Sequence, residues 1–269
     1  MGGQKKIGFI GAGTMAKAII KGVVASGFAA ADNIIASEIS EETATKASEV
    51  LGIKVITSNT EVVRQSDVII LCVKPYVVAP VLKEISNDLQ KGKLLVSIAA
   101  GVATETIENA IGKEISVVRG MPNTPALVGE GMSSVCKGKY ASDEDIAFVM
   151  NLLKAVGRCV EVEEKFMNAV TGISGSGPAF MYLIIEAMAD GGVKLGLKKD
   201  IAVQLAAQTM IGAAKMVLET GKHPAMLKDE VTTPGGCTIA GLEVMEEENV
   251  RSAMIKTVKE TAKVAAGLG

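Results

Sequence analysis

The sequence predicts an α/β protein in two parts, a doubly wound sheet followed by an all-α C-terminal part. Three observations point there. Short runs that are apolar at every residue alternate with helical periodicity as far as Glu163. Beyond Glu163 the strand signals stop and long helical patterns take over. A glycine-rich turn joins the first apolar run to the first helix. Runs that are apolar throughout suit parallel strands covered on both faces.

Residues 6–10 predict the first strand. The helix after it carries Ala16, Ile19, Ile20, Val23 and Val24 on one face and Lys17 and Lys21 off it, with Gly27 placed to close it. Residues 34–37 predict a second strand, 41–51 a helix and 54–56 a third strand. Residues 68–73 form a continuous apolar run ended by Lys74-Pro75, and 94–98 and 115–118 repeat the pattern. Weaker signals at 132–136 and 159–162 complete the edge of the sheet. Helices are then predicted at 178–195, 200–219, 239–248 and 250–266. The first is apolar around much of its circumference, and the second is rich in alanine. About a hundred residues of such helices are too many for the chain to cover alone, so they are expected to pack against a second subunit. The predicted division is a dinucleotide-binding domain, 1–163, and a helical domain, 164–269.

Composition narrows the function. The chain has 269 residues and a net charge of -2, with no Trp and few aromatics. Nothing in that balance favours nucleic acid, and no basic stripe interleaves with aromatics. Cys72, Cys136, Cys159 and Cys237 form no CxxC pair, and the one histidine, His223, has no cysteine nearby. No metal site is therefore expected, and scattered thiols read as reduced and cytoplasmic. The chain runs almost at once into a strand, so no signal peptide is expected. Met1-Gly2 could open a myristoylation motif, but Lys6 stands where that motif takes Ser or Thr. The longest apolar run, 179–185, is interrupted by Glu186, and none is read as spanning a bilayer.

The glycine turn reads Gly8-Phe9-Ile10-Gly11-Ala12-Gly13-Thr14-Met15-Ala16. Strand, Gly-x-Gly-x-x-Ala and helix, in that order, form the fingerprint of a Rossmann dinucleotide site. Gly11 allows the tight turn, Gly13 lets the backbone approach a pyrophosphate, and Ala16 lets helix and strand lie close. The alternative is an ordinary glycine-rich turn. At the end of the second strand stands Glu38, where a carboxylate accepts hydrogen bonds from the adenosine ribose and repels a 2′-phosphate. The alternative there is a solvated surface residue.

Two segments of the helical half stand out. Ser174-Gly175-Ser176-Gly177-Pro178-Ala179 precedes the first long helix, with Ser176 expected as its N-cap and Pro178 in its first turn. Thr232-Thr233-Pro234-Gly235-Gly236-Cys237-Thr238 precedes another. Its glycines bare the backbone where helix N–H groups are unpaired, which suits a small carboxylate, and Thr238 adds a hydroxyl. Plain helix capping is the alternative for both.

These residues carry a resemblance. The chain resembles the pyrroline-5-carboxylate reductases, the enzymes of the last step of proline biosynthesis, essentially end to end. The likeness rests on GFIGAGTMA, Val73-Lys74-Pro75, Ala99-Ala100-Gly101 and Arg119-x-Met121-Pro122-Asn123-Thr124-Pro125. It continues through the SGSGPA string, Ala189-Asp190-Gly191-Gly192-Val193, Leu227-Lys228-Asp229 and Pro234-Gly235-Gly236-x-Thr238-Ile239. The resemblance implies NADPH or NADH as cofactor, held by Gly11, Ala12, Gly13, Thr14, Met15 and Ala16. Asn59, the segment Cys72, Val73, Lys74 and Pro75, and the stretch Ile98, Ala99 and Ala100 surround the remainder. It implies 1-pyrroline-5-carboxylate as substrate, bound by Glu164, Thr233, Gly236, Cys237 and Thr238, with the Thr238 hydroxyl facing the imine nitrogen as the catalytic group. It also implies a homodimer that assembles into a larger ring.

Two departures matter. Many relatives carry Asn-Arg where this chain has Glu38-Ile39, which argues that NADH serves at least as well as NADPH. Cys237 sits at a variable position inside the substrate loop, as a small filler or an oxidisable thiol. His223 reads as a surface or turn residue, and no His, Lys or Asp is an obvious general acid. Two rivals stay open. A β-hydroxyacid dehydrogenase needs a catalytic lysine in the second half, where Lys194 and Lys215 lack a fitting motif. A non-catalytic dinucleotide sensor needs no imine chemistry.

Overall fold

The structure, a computed structural model, describes residues 5–268; residues 1–4, which include the Met1-Gly2 start, and residue 269 lie outside the described residues. The chain divides into two compact units. One comprises the residues up to Ser176 together with those from Lys259; the other is Gly177–Val258.

The first unit is built on an eight-stranded sheet: β1 (Ile7–Ile10), β2 (Ile34–Ser37), β3 (Lys54–Ile56), β4 (Val68–Leu71), β5 (Leu94–Ser97), β6 (Ser116–Met121), β7 (Gly131–Lys137) and β8 (Gly157–Glu161). Their order across the sheet is β3-β2-β1-β4-β5-β6-β7-β8. All neighbours run parallel except β6 and β7, which pair antiparallel. The weak signals at 132–136 and 159–162 thus mark two full strands, and the reversal at β7 is a feature that apolar runs cannot reveal.

Side chains alternate across the strands as their period of two requires. Ile7, Phe9, Ile34, Val68, Ile70, Leu94 and Val96 point to one face. There they meet α1 (Thr14–Ala25), α2 (Glu41–Leu51) and α6 (Asp143–Lys154) through Ala16, Ile19, Ile20, Val23, Ala47, Leu51, Val149 and Leu152. Ile10, Ile35, Ile69, Leu71 and Leu95 point to the other. There α3 (Asn59–Gln65), α4 (Pro75–Ile85) and α5 (Thr104–Ile111) bring Val62, Val63, Val81, Leu82, Ile85, Ile107 and Ile111. α2 and α6 begin at capping boxes, Ser40 with Thr43 and Ser142 with Asp145.

The last part of the first unit corrects the expected cap at Ser176. α7 (Met167–Val170) runs into a π-helical turn over Thr171–Gly175, in which the Ser176 amide donates to Thr171 O at 2.9 Å. Ser176 is a bend with right-handed helical backbone rather than the extended backbone of an N-cap, and its hydroxyl caps nothing. Pro178 has no N–H to offer the carbonyl four residues back, that of Ser174. The Asn123 side chain fills the gap. Its Nδ2 donates to Ser174 O at 3.0 Å, and its Oδ1 accepts from the Met132 amide at 2.8 Å. The Arg119–Pro125 motif and the SGSGP motif are thus two halves of one joint.

In the second unit, α8 (Gly177–Lys194) and α9 (Lys199–Thr220) pack together, followed by α10 (Pro224–Glu230), α11 (Cys237–Glu247) and α12 (Val250–Ala265), whose end belongs to the first unit. α9 has only Ala202 and Ala206 buried. Leu195 is 88% exposed, and Tyr182, Leu183, Leu205 and Leu218 are exposed as well. No apolar run reads as a span for a bilayer, yet α9, at 22 residues, is long and apolar enough to cross one. Its alanines and aliphatics are spread around the helix, as a surface awaiting another protein surface also requires.

An Asn123→Ala substitution removes both partners of the joint and leaves a carbonyl and an amide unsatisfied. It should lower the unfolding free energy by about 2–3 kcal/mol, read from urea denaturation at fixed protein concentration. An unmoved midpoint would show that the joint contributes nothing.

Candidate active site

The carboxyl ends of the parallel strands are tied into one lip by successive backbone hydrogen bonds. Gly11 N donates to Ser37 O at 3.1 Å, Cys72 N to Ile10 O at 2.9 Å, and Ile98 N to Leu71 O at 3.2 Å. The glycine loop, the Cys72–Lys74 turn and the Ile98–Ala100 stretch are therefore neighbours because their strands are. Gly11 has φ of 89°, and a Cβ there would stand 2.9 Å from Cys72 O, so the turn requires glycine. Ala16 is fully buried where α1 crosses the sheet.

Gly13 is the N-cap of α1, and no side chain caps that helix. A Cβ on Gly13 would meet nothing within 4 Å. Bare amides facing open space are what a pyrophosphate needs, so the residues present fit a dinucleotide. Thr14 is exposed and Met15 half-buried beside it. Glu38 lies at the same place: its Oε1 accepts from the Ala12 amide at 2.9 Å. The carboxylate is thus fixed to the loop rather than loose in solvent. Ile39 beside it is 94% exposed. Asn59 opens α3, accepting from the Ser37 hydroxyl at 2.7 Å and donating to Glu84 at 2.9 Å. Lys74 is the N-cap of α4, with Pro75 following.

Glu164 stands in the short turn after β8. Its Oε1 accepts from Thr104 N at 2.7 Å, and its Oε2 from the Thr104 hydroxyl at 2.5 Å. Arg119 Nη1 lies 3.5 Å from Oε1. A cavity of about 510 Å³ borders Glu164, Val162 and Cys136. The Cys136 thiol is pushed up to about 12, by burial first and then by Glu164, so it stays protonated and inert. Burial likewise raises Cys72 and Cys159. All four cysteines are free thiols. The Arg119–Glu164–Thr104 cluster and the Asn123 joint escaped the sequence reading. Their partners lie tens of residues apart, and no local period marks them.

The remaining predicted residues lie in the second unit. Thr233-Pro234-Gly235-Gly236 is a tight turn in which Gly236 N donates to Thr233 O at 3.0 Å and Gly235 takes φ of 68°. Pro at its second position and Gly at its third make it a type II turn. Gly236 is then the N-cap of α11, again with no side-chain cap. No side chain of the segment caps the helix: Thr232 turns back to Lys228 O, and the helix start is left bare. Cys237 is exposed and Thr238 half-buried in the first turn. His223 is exposed and caps α10, its Nδ1 accepting from Ala225 N at 3.2 Å, which gives it a turn role.

Comparison with known proteins agrees with this geometry. A family model described as pyrroline-5-carboxylate reductase dimerisation matches residues 164–268, and one described as NADP oxidoreductase, coenzyme F420-dependent, matches 6–101. The pyrroline-5-carboxylate reductase of Methanosarcina acetivorans is 46% identical over 99% of this chain and 98% of its own length. That of Escherichia coli is 43% identical over 95% of each. Among solved structures, the Coxiella burnetii reductase superposes with a TM-score of 0.92 at 33% identity, covering 98% of both chains. The Plasmodium falciparum enzyme, with NADP bound, superposes at 0.89, also 33% identical, over 99% of this chain and 98% of its own.

Fold and site define an NAD(P)-binding oxidoreductase with a helical dimerisation domain. At this identity over nearly full length, the chain belongs to the pyrroline-5-carboxylate reductase family.

A Gly13→Ala substitution puts one methyl group into the space above the loop without touching the rest of the chain. The thermal midpoint should hold within a few degrees while NADH binding, followed by fluorescence titration, weakens on the order of tenfold or more. Unchanged affinity would place the pyrophosphate elsewhere.

Proposed function

We propose that the chain reduces the C=N bond of 1-pyrroline-5-carboxylate to L-proline through the residues of these two bare helix starts. The activity is that of its family, an NAD(P)H-dependent step of proline biosynthesis. The observation that carries the residue-level reading is the uncapped start of α11 behind a Pro-Gly-Gly turn. Amides there suit the substrate carboxylate, with Thr233, Gly236 and Cys237 forming the surround. A reduced nicotinamide bound there would supply the hydride that the imine carbon takes up, while a proton ends on the ring nitrogen. Thr238 holds that nitrogen through its hydroxyl, and the proton arrives on the imine itself, through Thr238, or from water. Glu164 borders the substrate. The loop from Gly11 to Ala16, with Asn59, Cys72, Val73, Lys74, Pro75, Ile98, Ala99 and Ala100, orients the cofactor.

Residues 1–163 serve the cofactor, and 164–269 serve dimerisation and substrate. The enzyme works in the cytoplasm, in keeping with free thiols, and its dimers assemble into a larger ring. Cofactor preference is set at the end of β2. Glu38, Glu41 and Glu42 cluster there, and Lys46 is already paired with Glu42. A 2′-phosphate would meet carboxylates there.

Thr238→Ala should lower kcat by roughly ten- to a hundredfold and leave the NADH dissociation constant within about twofold. Unchanged kcat in steady-state assays with pyrroline-5-carboxylate would remove Thr238 from the chemistry.

For the wild type, kcat/KM with NADH should equal or exceed that with NADPH, and replacing Glu38-Ile39 by Asn-Arg should favour NADPH by about tenfold. A wild type preferring NADPH by more than about tenfold would defeat the assignment of Glu38.

A further inference from the structure

We propose that Arg119 is a positioning residue for the reaction: it holds the Glu164 carboxylate in the one orientation that ties down the loop after β5. The inference rests on the reading of Ile98–Ala100 and Glu164 given above, and it deepens that reading.

Arg119 lies in the middle of the sheet, on β6, paired with Ser97 on one side and Cys136 on the other. Its side chain is 5% exposed. Among the described residues its only ion-pair partner is Glu164, and its buried Nη2 has no hydrogen-bond partner. A buried cation with an idle nitrogen is a poor way to fill a sheet, since an apolar side chain of similar volume serves stability as well or better. Packing therefore gives no reason for arginine here, and its reach to Glu164 does.

Glu164 in turn acts where α5 cannot serve itself. The N-cap of α5 is Ala103, which has no side chain to offer the free amides. Glu164 supplies that cap from 60 residues away, taking the Thr104 amide with one oxygen and the Thr104 hydroxyl with the other. Between β5 and this clamp lie residues 98–103, the loop proposed to line the cofactor. Arg119 is the second anchor. It fixes the carboxylate from the sheet side, so that the clamp, the loop and the cavity beside Glu164 keep one arrangement. Glu164 also helps to raise the Cys136 thiol, as a charge held beside that strand does.

The test is a double-mutant cycle on the full-length enzyme. Arg119→Lys keeps the cation and loses the fork; Arg119→Met loses both. Each is made with Glu164 and with Glu164→Gln, and kcat, KM for pyrroline-5-carboxylate, the NADH dissociation constant and the urea midpoint are measured. With Glu164 present, Arg119→Met should lower kcat/KM on the order of tenfold or more, with Arg119→Lys recovering part of it. In the Glu164→Gln background neither should add a further loss. Losses that multiply in the double variants, or an Arg119→Met enzyme within twofold of wild type, overturn the inference. Should Arg119→Met not fold, Arg119→Lys decides alone: a loss confined to the Glu164 background supports the role, and an equal loss in both overturns it. A wild type without imine-dependent oxidation of NADH or NADPH overturns the reaction and this inference together; multiplying losses in an active enzyme overturn the inference alone.

Discussion

Right-handed crossovers move the covering helices from one face of a parallel sheet to the other only where the strand order reverses direction. β1 lies between β2 and β4, so the helix leading to β2 crosses one face and the helix leading to β4 crosses the other. Right-handed crossovers make that divergence obligatory and open a crevice at the carboxyl ends of β1 and β4. The rest of the first unit follows from it. The glycine loop must turn sharply at the crevice, so Gly11 takes a positive φ. The loops after β4 and β5 line up beside it, because each is bonded to the strand before. Glu38 reaches the loop because β2 ends one strand away.

That constraint also explains what the sequence could and could not tell. Strands buried on both faces read as apolar runs, so β2 was legible to the residue and β4 and β5 nearly so; β3, half-exposed at the edge, was legible from its place after α2. α1 and α2 were legible through their periodicity. α3, α4 and α5 were not singled out: α3 has seven residues, and α4 contains Pro80, which breaks the expected pattern without breaking the helix. The antiparallel β7 was seen only as a weak edge, because strand direction leaves no mark on composition. The glycine loop and Glu38 were legible because strand, turn and helix are contiguous. The Glu164–Thr104 clamp spans 60 residues and the Asn123–Ser174 bond 51, and only folding brings such partners together. The cap expected at Ser176 failed for the same reason. Its local sequence suits a helix start, but the preceding turn was already helical, and a distant asparagine met the carbonyl that Pro178 left idle.

The second unit follows a different rule. Its helices bury little among themselves, and α8 and α9 are apolar on sides that their mutual contact does not cover. A monomeric protein would leave that surface to solvent at a high cost. The family model over 164–268 describes a dimerisation domain, which accounts for the apolar faces and for the length and hydropathy of α9 together. Scarcity of aromatics fits the same picture, since alanine and glycine let helices approach closely.

Two helix starts in this chain are built alike. α2 and α6, which only cover the sheet, are closed by their own serine boxes. α1 and α11 are both preceded by a turn with a glycine at positive φ, and both have glycine as N-cap in extended backbone, at φ -70° and -79°. Neither receives a side-chain cap. Serine or aspartate at either N-cap would stabilise the helix by roughly a few tenths of a kcal/mol over glycine and would close its free amides. Forgoing that gain at both glycine loops makes sense if anions occupy both starts. In the proposed reading one anion is the cofactor pyrophosphate and the other is the substrate carboxylate. Among the other uncapped starts, such as those of α4, α5 and α9, that of α5 is the informative one. It too lacks a cap of its own, but Glu164 has taken the place of the anion. A protein carboxylate on a helix start is the internal counterpart of a bound ligand, and here it fixes a loop where the other two starts leave room for chemistry.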